Sequence, residues 1–148
     1  MTTKLDTTNH VVTLENESPQ SSEDVACVRL DDVLGGAPPF VIKLDVEGYE
    51  LEVLRGAERT LRDPGLQAVV MEINDSGRRY GRADNQLEAL VLNAGFQRVA
   101  YAPFERRLVS ATGHIPTSAN NAIFVRDRRL VQRRLLEAPA FRVLGRII

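Results

Sequence analysis

The chain has 148 residues, enough for one domain with a buried core. Its hydrophobic content of 43% and charged content of 26% are typical of a folded globular protein and argue against overall disorder. The net charge of −1 excludes no class of partner, but the charge is uneven, since the segment from Arg126 onward carries about +5 and the rest about −6.

The amino-terminal residues contain no targeting or membrane signal. "MTTKLDTTNH" lacks the apolar core of a signal peptide, and no apolar run approaches the roughly 18 residues of a membrane span. Cys27 is the only cysteine, so no internal disulfide is possible, and we expect a cytoplasmic protein. Residues 1–24 are rich in Thr, Ser, Asn and Glu and predict a loosely ordered N-terminal segment.

Three elements are predicted next in the chain. "VACVRL" (25–30) alternates as a strand does, and "DDVL" (31–34) predicts a short helical turn that Asp31 could cap. "FVIKLDV" (40–46) is almost continuously apolar, which is typical of a central parallel strand buried on both faces.

The middle of the chain alternates between helix and strand patterns. One amphipathic helix, closed by "RDPG", is predicted from four apolar residues at helical spacing, namely Leu51, Leu54, Ala57 and Leu61. "LQAVVMEIN" (66–74) predicts a second buried strand. "NQLEALVLNAGF" (85–96) predicts a helix that stops at Gly95 and turns three residues inward, Leu87, Leu90 and Val91.

Strand patterns dominate the remainder, in "QRVAYA" (97–102), "RRLVSA" (106–111) and "NNAIFV" (120–125). This order predicts an α/β sheet with parallel crossovers and an antiparallel strand at its edge. Residues 127–148 predict a basic helix ended by Pro139 and an apolar tail. Because no aromatic residues interleave with the arginines, we favour a solvated or partner-binding helix over a nucleic-acid interface.

The best candidate site lies where two predicted strands end. Asp45 and Glu47 follow the first, Glu72 and Asn74 end the second, and ligands of open α/β sheets bind beyond the carboxyl ends of strands. Structural interpretations stay open for each: Asp45 could cap the next helix, Glu47 could favour its positive end, Glu72 could be a solvated strand end, and Asn74 a turn residue. Lys43 could pair with Glu72 or extend to solvent.

Other chemistries lack their motifs. His10 and His114 have no neighbours at metal-ligand spacing, and no serine stands in a Gly-x-Ser-x-Gly frame. The sequence has no Gly-x-Gly, so neither the dinucleotide fingerprint nor a P-loop is present.

The run "VRLDDVL", then "FVIKLDVEGYELEVLRGAERTL", "VVMEIN" and "LEALVLNAGF", resembles the FkbM family of S-adenosylmethionine-dependent methyltransferases over residues 25–126. The resemblance implies a Rossmann-like class I methyltransferase fold and methyl transfer, mostly to oxygen, on small molecules such as sugars, polyketides or lipids. It also implies that Asp45, Val46 and Gly48 lie beside the cofactor, and that Asp31 and Asp32 are structural.

The resemblance is to the carboxyl-terminal portion of the family domain, because the glycine-rich first loop and the acidic second strand end of the family are not found in residues 1–40. We therefore expect a sheet truncated on its N-terminal side. Its unpaired apolar edge would favour a homodimer or a partner chain that supplies the missing strands.

Three functions follow as hypotheses. In the first, O-methyl transfer, a hydroxyl attacks the methyl group in line, Asp45 accepts its proton, and Glu47 and Glu72 place the acceptor. In the second, the three carboxylates hold Mg²⁺ or Mn²⁺ for phosphoester hydrolysis. In the third, the chain is a non-enzymatic remnant that associates with a partner chain.

Overall fold

The computed structural model describes Val11 and residues 23–73, 84–111 and 121–147. Twelve elements are assigned within these ranges, and their order mixes helices and strands. The helices are α1 (Leu30–Leu34), α2 (Glu50–Arg55), α3 (Glu58–Arg62), α4 (Asp84–Asn93) and α5 (Arg128–Glu137). The strands are β1 (Val41–Leu44), β2 (Ala68–Glu72), β3 (Gln97–Ala102), β4 (Arg107–Ser110), β5 (Asn121–Val125), β6 (Arg142–Val143) and β7 (Arg146–Ile147).

Five strands form one sheet in the order β1-β2-β5-β3-β4. β1 and β2 are parallel, while the β2–β5, β5–β3 and β3–β4 pairs are antiparallel. An α/β sheet with an antiparallel edge strand was predicted, and both features are present. Antiparallel pairing nevertheless extends inward, because β5 lies between β2 and β3 and separates two strands that run in the same direction.

The core has one part on each face of the sheet. On one face α2, α3 and α4 pack over β1 and β2, and their buried residues include Leu54, Leu61 and Val91 with exposures of 1% or less. On the other face α5 inserts Val131 over Ala68, Val99, Leu108 and Val125. The helical residues predicted to face inward are buried or partly buried.

β1 is buried on one face alone, which corrects the prediction that both of its faces are covered. Ile42 and Leu44 lie in the core, whereas Val41 is 48% exposed and Lys43 faces solvent. The buried cluster beneath α5 contains residues of β2, β3, β4 and β5 and none of β1. The continuous apolar run therefore overstated how much of β1 is buried.

Two local predictions are also wrong, and one short element was not predicted. No strand forms at residues 25–29, where Val25 and Val28 are exposed, and Leu30 already begins α1. The single helix predicted after Gly48 is two helices, because the chain turns at Gly56 and Ala57 while the apolar side chains stay against the sheet. The C-terminal tail contains the short β6–β7 hairpin.

Among the described helices, none has the length and apolar content needed to cross a bilayer.

The unpaired edge of β1 predicts that the protein associates with itself. Within the described ranges β1 pairs with β2 alone and forms the end of the sheet, and an unpaired, partly apolar edge favours contact with another chain. We expect light scattering at tens of micromolar to give an average mass above that of the monomer. Val41→Lys, which adds a charge to the edge, should lower it.

Leu144→Lys is the matched control, because Leu144 is 99% exposed in the β6–β7 turn and distant in sequence from β1. A monodisperse monomer for the unmodified chain, or an equal effect of the two substitutions, would contradict the assignment of association to β1.

Candidate functional site at the ends of β1 and β2

The parallel pairing of β1 and β2 brings two acidic residues to the same edge of the sheet. Leu44 is paired with Met71, so Asp45 and Glu72, the next residues of each chain segment, come side by side. Carboxylate oxygens of Asp45, Glu47 and Glu72 all lie within 4.8 Å of one another. The structure thus confirms that these side chains cluster, while their catalytic role stays a prediction.

Asp45 is accessible and has a cationic neighbour. Its side chain is 51% exposed and forms an ion pair with Lys43, on the same open face of β1. Lys43 was expected either to pair with Glu72 or to extend to solvent; its side chain is 58% exposed and pairs with Asp45. Asp45 also does not cap α2, because the N-cap position of that helix is Tyr49 and no side-chain capping hydrogen bond forms there. The capping alternative is therefore removed, and the carboxylate is directed to the strand end.

Residues 45–49 form a tight turn with unusual backbone angles. Glu47 has φ of 53° and Gly48 has φ of 96°, and the Tyr49 N–H donates to the Val46 carbonyl at 3.2 Å. A left-handed conformation costs energy for any residue other than glycine, so something must hold Glu47 in place. Such a turn directs the Glu47 side chain toward Asp45 and Glu72.

Glu50 holds this turn from beneath. Its Oε1 accepts hydrogen bonds from the Val46 N–H at 3.1 Å and the Gly48 N–H at 3.3 Å, and the residue is 1% exposed. A buried carboxylate is costly unless it is hydrogen-bonded, and here the turn supplies the donors. The sequence analysis missed Glu50. In the sequence Glu50 is simply an acidic residue at the start of a helix. Nothing in the local pattern indicates that this position is buried.

Asp31 has the structural role that was expected of it, although it caps the start of α3 and not its own helix α1. Its carboxylate accepts hydrogen bonds from the Arg59 N–H at 3.0 Å, the Thr60 N–H at 2.9 Å and the Thr60 hydroxyl at 2.8 Å. Burial raises the pKa of this carboxyl, but these bonds and the Arg59 charge outweigh burial and lower the pKa to about 2. Asp31 therefore joins α1 to the start of α3.

The cluster is made of described residues alone. Asn74, His10 and His114 lie outside the described residues. Ser110 is at the end of β4, on the far side of the sheet from β1, where its hydroxyl accepts a hydrogen bond from Arg128.

The arrangement supports two kinds of chemistry. Carboxylates at this spacing can accept hydrogen bonds or a proton from a hydroxyl group. They also offer the oxygen ligands that hard divalent cations prefer, but exposed acidic groups often cluster without a metal. Both chemistries are compatible with this geometry.

The family model described as "Methyltransferase FkbM domain" matches residues 3–98 of the chain. A curated protein of Beauveria bassiana (strain ARSEF 2860), named "Methyltransferase 1", is 34% identical over 100 residues, which cover 64% of this chain and 39% of that protein. The chain thus matches well under half of the length of this relative. No solved structure matches the chain.

Proposed function

Since the chain belongs to the FkbM methyltransferase domain family, we propose that its activity is the transfer of a methyl group from S-adenosylmethionine to a hydroxyl of a small molecule. The observation that carries this proposal is the convergence of Asp45, Glu47 and Glu72 at the ends of β1 and β2, within the matched residues. A Rossmann-like class I fold, a sugar, polyketide or lipid acceptor, and a cytoplasmic location belong to the same proposal.

The residues present fit the charged end of the methyl donor. Asp45, Glu47 and Glu72 give the strand ends a negative potential that suits a sulfonium cation. Val46 is 36% exposed and offers apolar contact beside them, and Gly48 turns the backbone without a Cβ. Asp45, Val46 and Gly48 would hold this end of S-adenosylmethionine, which supplies an electrophilic methyl group when bound.

The side chains of the site have two further roles, which are to accept a proton and to orient the acceptor molecule. The Asp45 carboxylate, held by Lys43 at the strand end, accepts the proton of the acceptor hydroxyl. Glu47 and Glu72 accept further hydrogen bonds from the acceptor and fix its orientation, which is worth several kcal/mol in reactions of this kind. No covalent intermediate with the protein is required.

Calorimetric titration with S-adenosylhomocysteine tests this proposal. We expect micromolar binding by the unmodified chain and at least tenfold weaker binding by Asp45→Ala, because that substitution removes a charge beside the sulfur. Glu58→Ala is the matched control, since Glu58 is an exposed acidic residue in the first turn of α3. Absence of heat up to millimolar ligand, from a chain shown to be folded, would refute the proposal for this polypeptide alone.

The open side of β1 supports a second candidate, a non-enzymatic chain that associates with a partner chain. This candidate predicts association without any binding of S-adenosylhomocysteine.

The acidic cluster supports a third candidate, a metal-dependent phosphoesterase. It predicts that Mn²⁺ raises the melting temperature and that S-adenosylhomocysteine does not. The reverse result would exclude it.

A further inference from the structure

We propose that the groove between β4 and α5 is a docking site for an acidic segment of another protein that also carries apolar side chains. This inference is independent of the methyltransferase site, because the groove lies at the opposite end of the sheet from β1.

The groove has rigid walls. Gln132 donates to the Arg106 carbonyl at 2.9 Å and accepts from the Leu108 N–H at 2.8 Å, while Arg128 donates to the Leu108 carbonyl at 2.8 Å. These bonds fix α5 beside the outer edge of β4. They also occupy the backbone groups of β4 at Leu108, so a partner cannot bind there by adding a strand.

The groove has a volume of about 750 Å³ and an apolar floor. Leu108 lies at its base, and Leu136 is 59% exposed at its rim. A volume of this size accommodates several side chains or a drug-sized molecule, and it is much larger than a single inorganic anion requires. The floor therefore favours an occupant with apolar side chains of its own.

The rim is strongly basic. Four arginines and one glutamate line the groove: Arg107, Arg128, Arg129, Arg133 and Glu105. Within the described ranges the guanidinium groups of Arg107, Arg129 and Arg133 take part in no ion pair, hydrogen bond or ring contact.

Most arginines elsewhere among the described residues are engaged, with Arg62 of α3 as an exception. Arg126 donates to the carbonyls of Leu66 and Ala94, and Arg134 stacks on Phe40. Three guanidinium groups without a partner among the described residues thus lie at this one groove.

The apolar floor and the basic rim together indicate which class of partner fits the groove. Guanidinium groups match carboxylates in bidentate geometry, and arginine is enriched in protein interfaces. A nucleic-acid strand would be expected to stack on aromatic rings, and none of the described residues that line this groove is aromatic. A membrane surface would require a flat or convex basic face. An acidic, partly apolar peptide satisfies both the floor and the rim.

The test uses fluorescence anisotropy with three labelled peptides of equal length, in which Glu alternates with Leu, Glu with Ser, and Gln with Leu. We expect the Glu/Leu peptide to bind at least tenfold more tightly than either of the others. The triple variant Arg107→Gln, Arg129→Gln, Arg133→Gln should lose this binding while its melting temperature stays unchanged. Arg62→Gln, on the exposed surface of α3, is the control and should bind normally.

Four outcomes would overturn the inference. Equal binding of the Glu/Leu and Glu/Ser peptides would show that charge alone acts, and retained binding by the triple variant would place the contact elsewhere. Lack of binding of the Glu/Leu peptide up to millimolar concentration would show that the groove does not accept this chemistry. Tighter binding of single-stranded DNA or of vesicles with anionic lipid, lost in the same triple variant, would reassign the groove to that polyanion.

Discussion

Glu50→Ala is expected to lower the free energy of unfolding by about 2 to 4 kcal/mol and to abolish binding at the candidate site. The substitution removes the acceptor for the Val46 and Gly48 N–H groups, and it leaves the Gly48 donor without this partner in a buried position and the Val46 donor in a partly buried one. Because the same two bonds hold the turn that carries Glu47, the carboxylate cluster would lose its geometry together with its support. Urea denaturation measures the first effect and S-adenosylhomocysteine titration the second.

A conservative variant separates the hydrogen bonds from the charge. Glu50→Gln keeps an oxygen acceptor at the same position, so we expect a loss of stability of about 1 kcal/mol and binding that is weakened but measurable. Glu58→Ala should change stability by less than about 0.5 kcal/mol, because Glu58 is an exposed surface residue. If Glu50→Ala proved as mild as Glu58→Ala, the two bonds would not be what holds the turn.

Asp31 should make the protein sensitive to acid. Its pKa is about 2 in the folded chain, below the ordinary value of 3.8, so ionised Asp31 stabilises the folded state at any pH above about 4. That contribution, on the order of 2 kcal/mol, is lost as the pH falls from about 4 toward 2. Asp31→Asn should remove this part of the pH dependence and lower stability at neutral pH by about 2 to 4 kcal/mol, since the side chain is 1% exposed and accepts three hydrogen bonds.

The neighbouring residue supplies the control. Asp32 is 64% exposed and pairs with Arg59 at 3.1 Å, so Asp32→Asn should cost less than about 1 kcal/mol and leave the acid transition in place. Unfolding free energies measured by urea titration between pH 2 and 7 compare the two variants. Identical pH profiles for Asp31→Asn and the unmodified chain would show that this carboxylate is not the origin of the acid sensitivity.

The sequence predicts many of the elements, and the clustering of acidic side chains at two strand ends, where the information is local. Apolar periodicity identified the buried positions of α4, and the acidic ends of two adjacent strands identified Asp45 and Glu72 as neighbours. Because the carboxyl ends of parallel strands lie at the same edge of a sheet, the parallel pairing of β1 and β2 brings these two residues together.

The failures concern contacts between distant parts of the chain. The partners of Asp31 are 28 and 29 residues away along the chain, and no local pattern reports them. The open face of β1 depends on how far α5 extends across the sheet, which the composition of β1 does not encode. The role of Glu50 depends on which side of α2 packs against the rest of the protein. With only six residues, this helix is too short for a repeat of apolar residues to indicate that side.

The position of β5 also determines when the protein can fold during its synthesis. β5 is the last of the five strands to leave the ribosome, yet it pairs with both β2 and β3, which do not pair with each other. Until Val125 has emerged, the nascent chain can form the β1–β2 pair and the β3–β4 hairpin only as two separate halves with exposed apolar edges. A premature stop before Asn121 would therefore delete the strand that joins the two halves of the sheet, although it shortens the polypeptide only near its end.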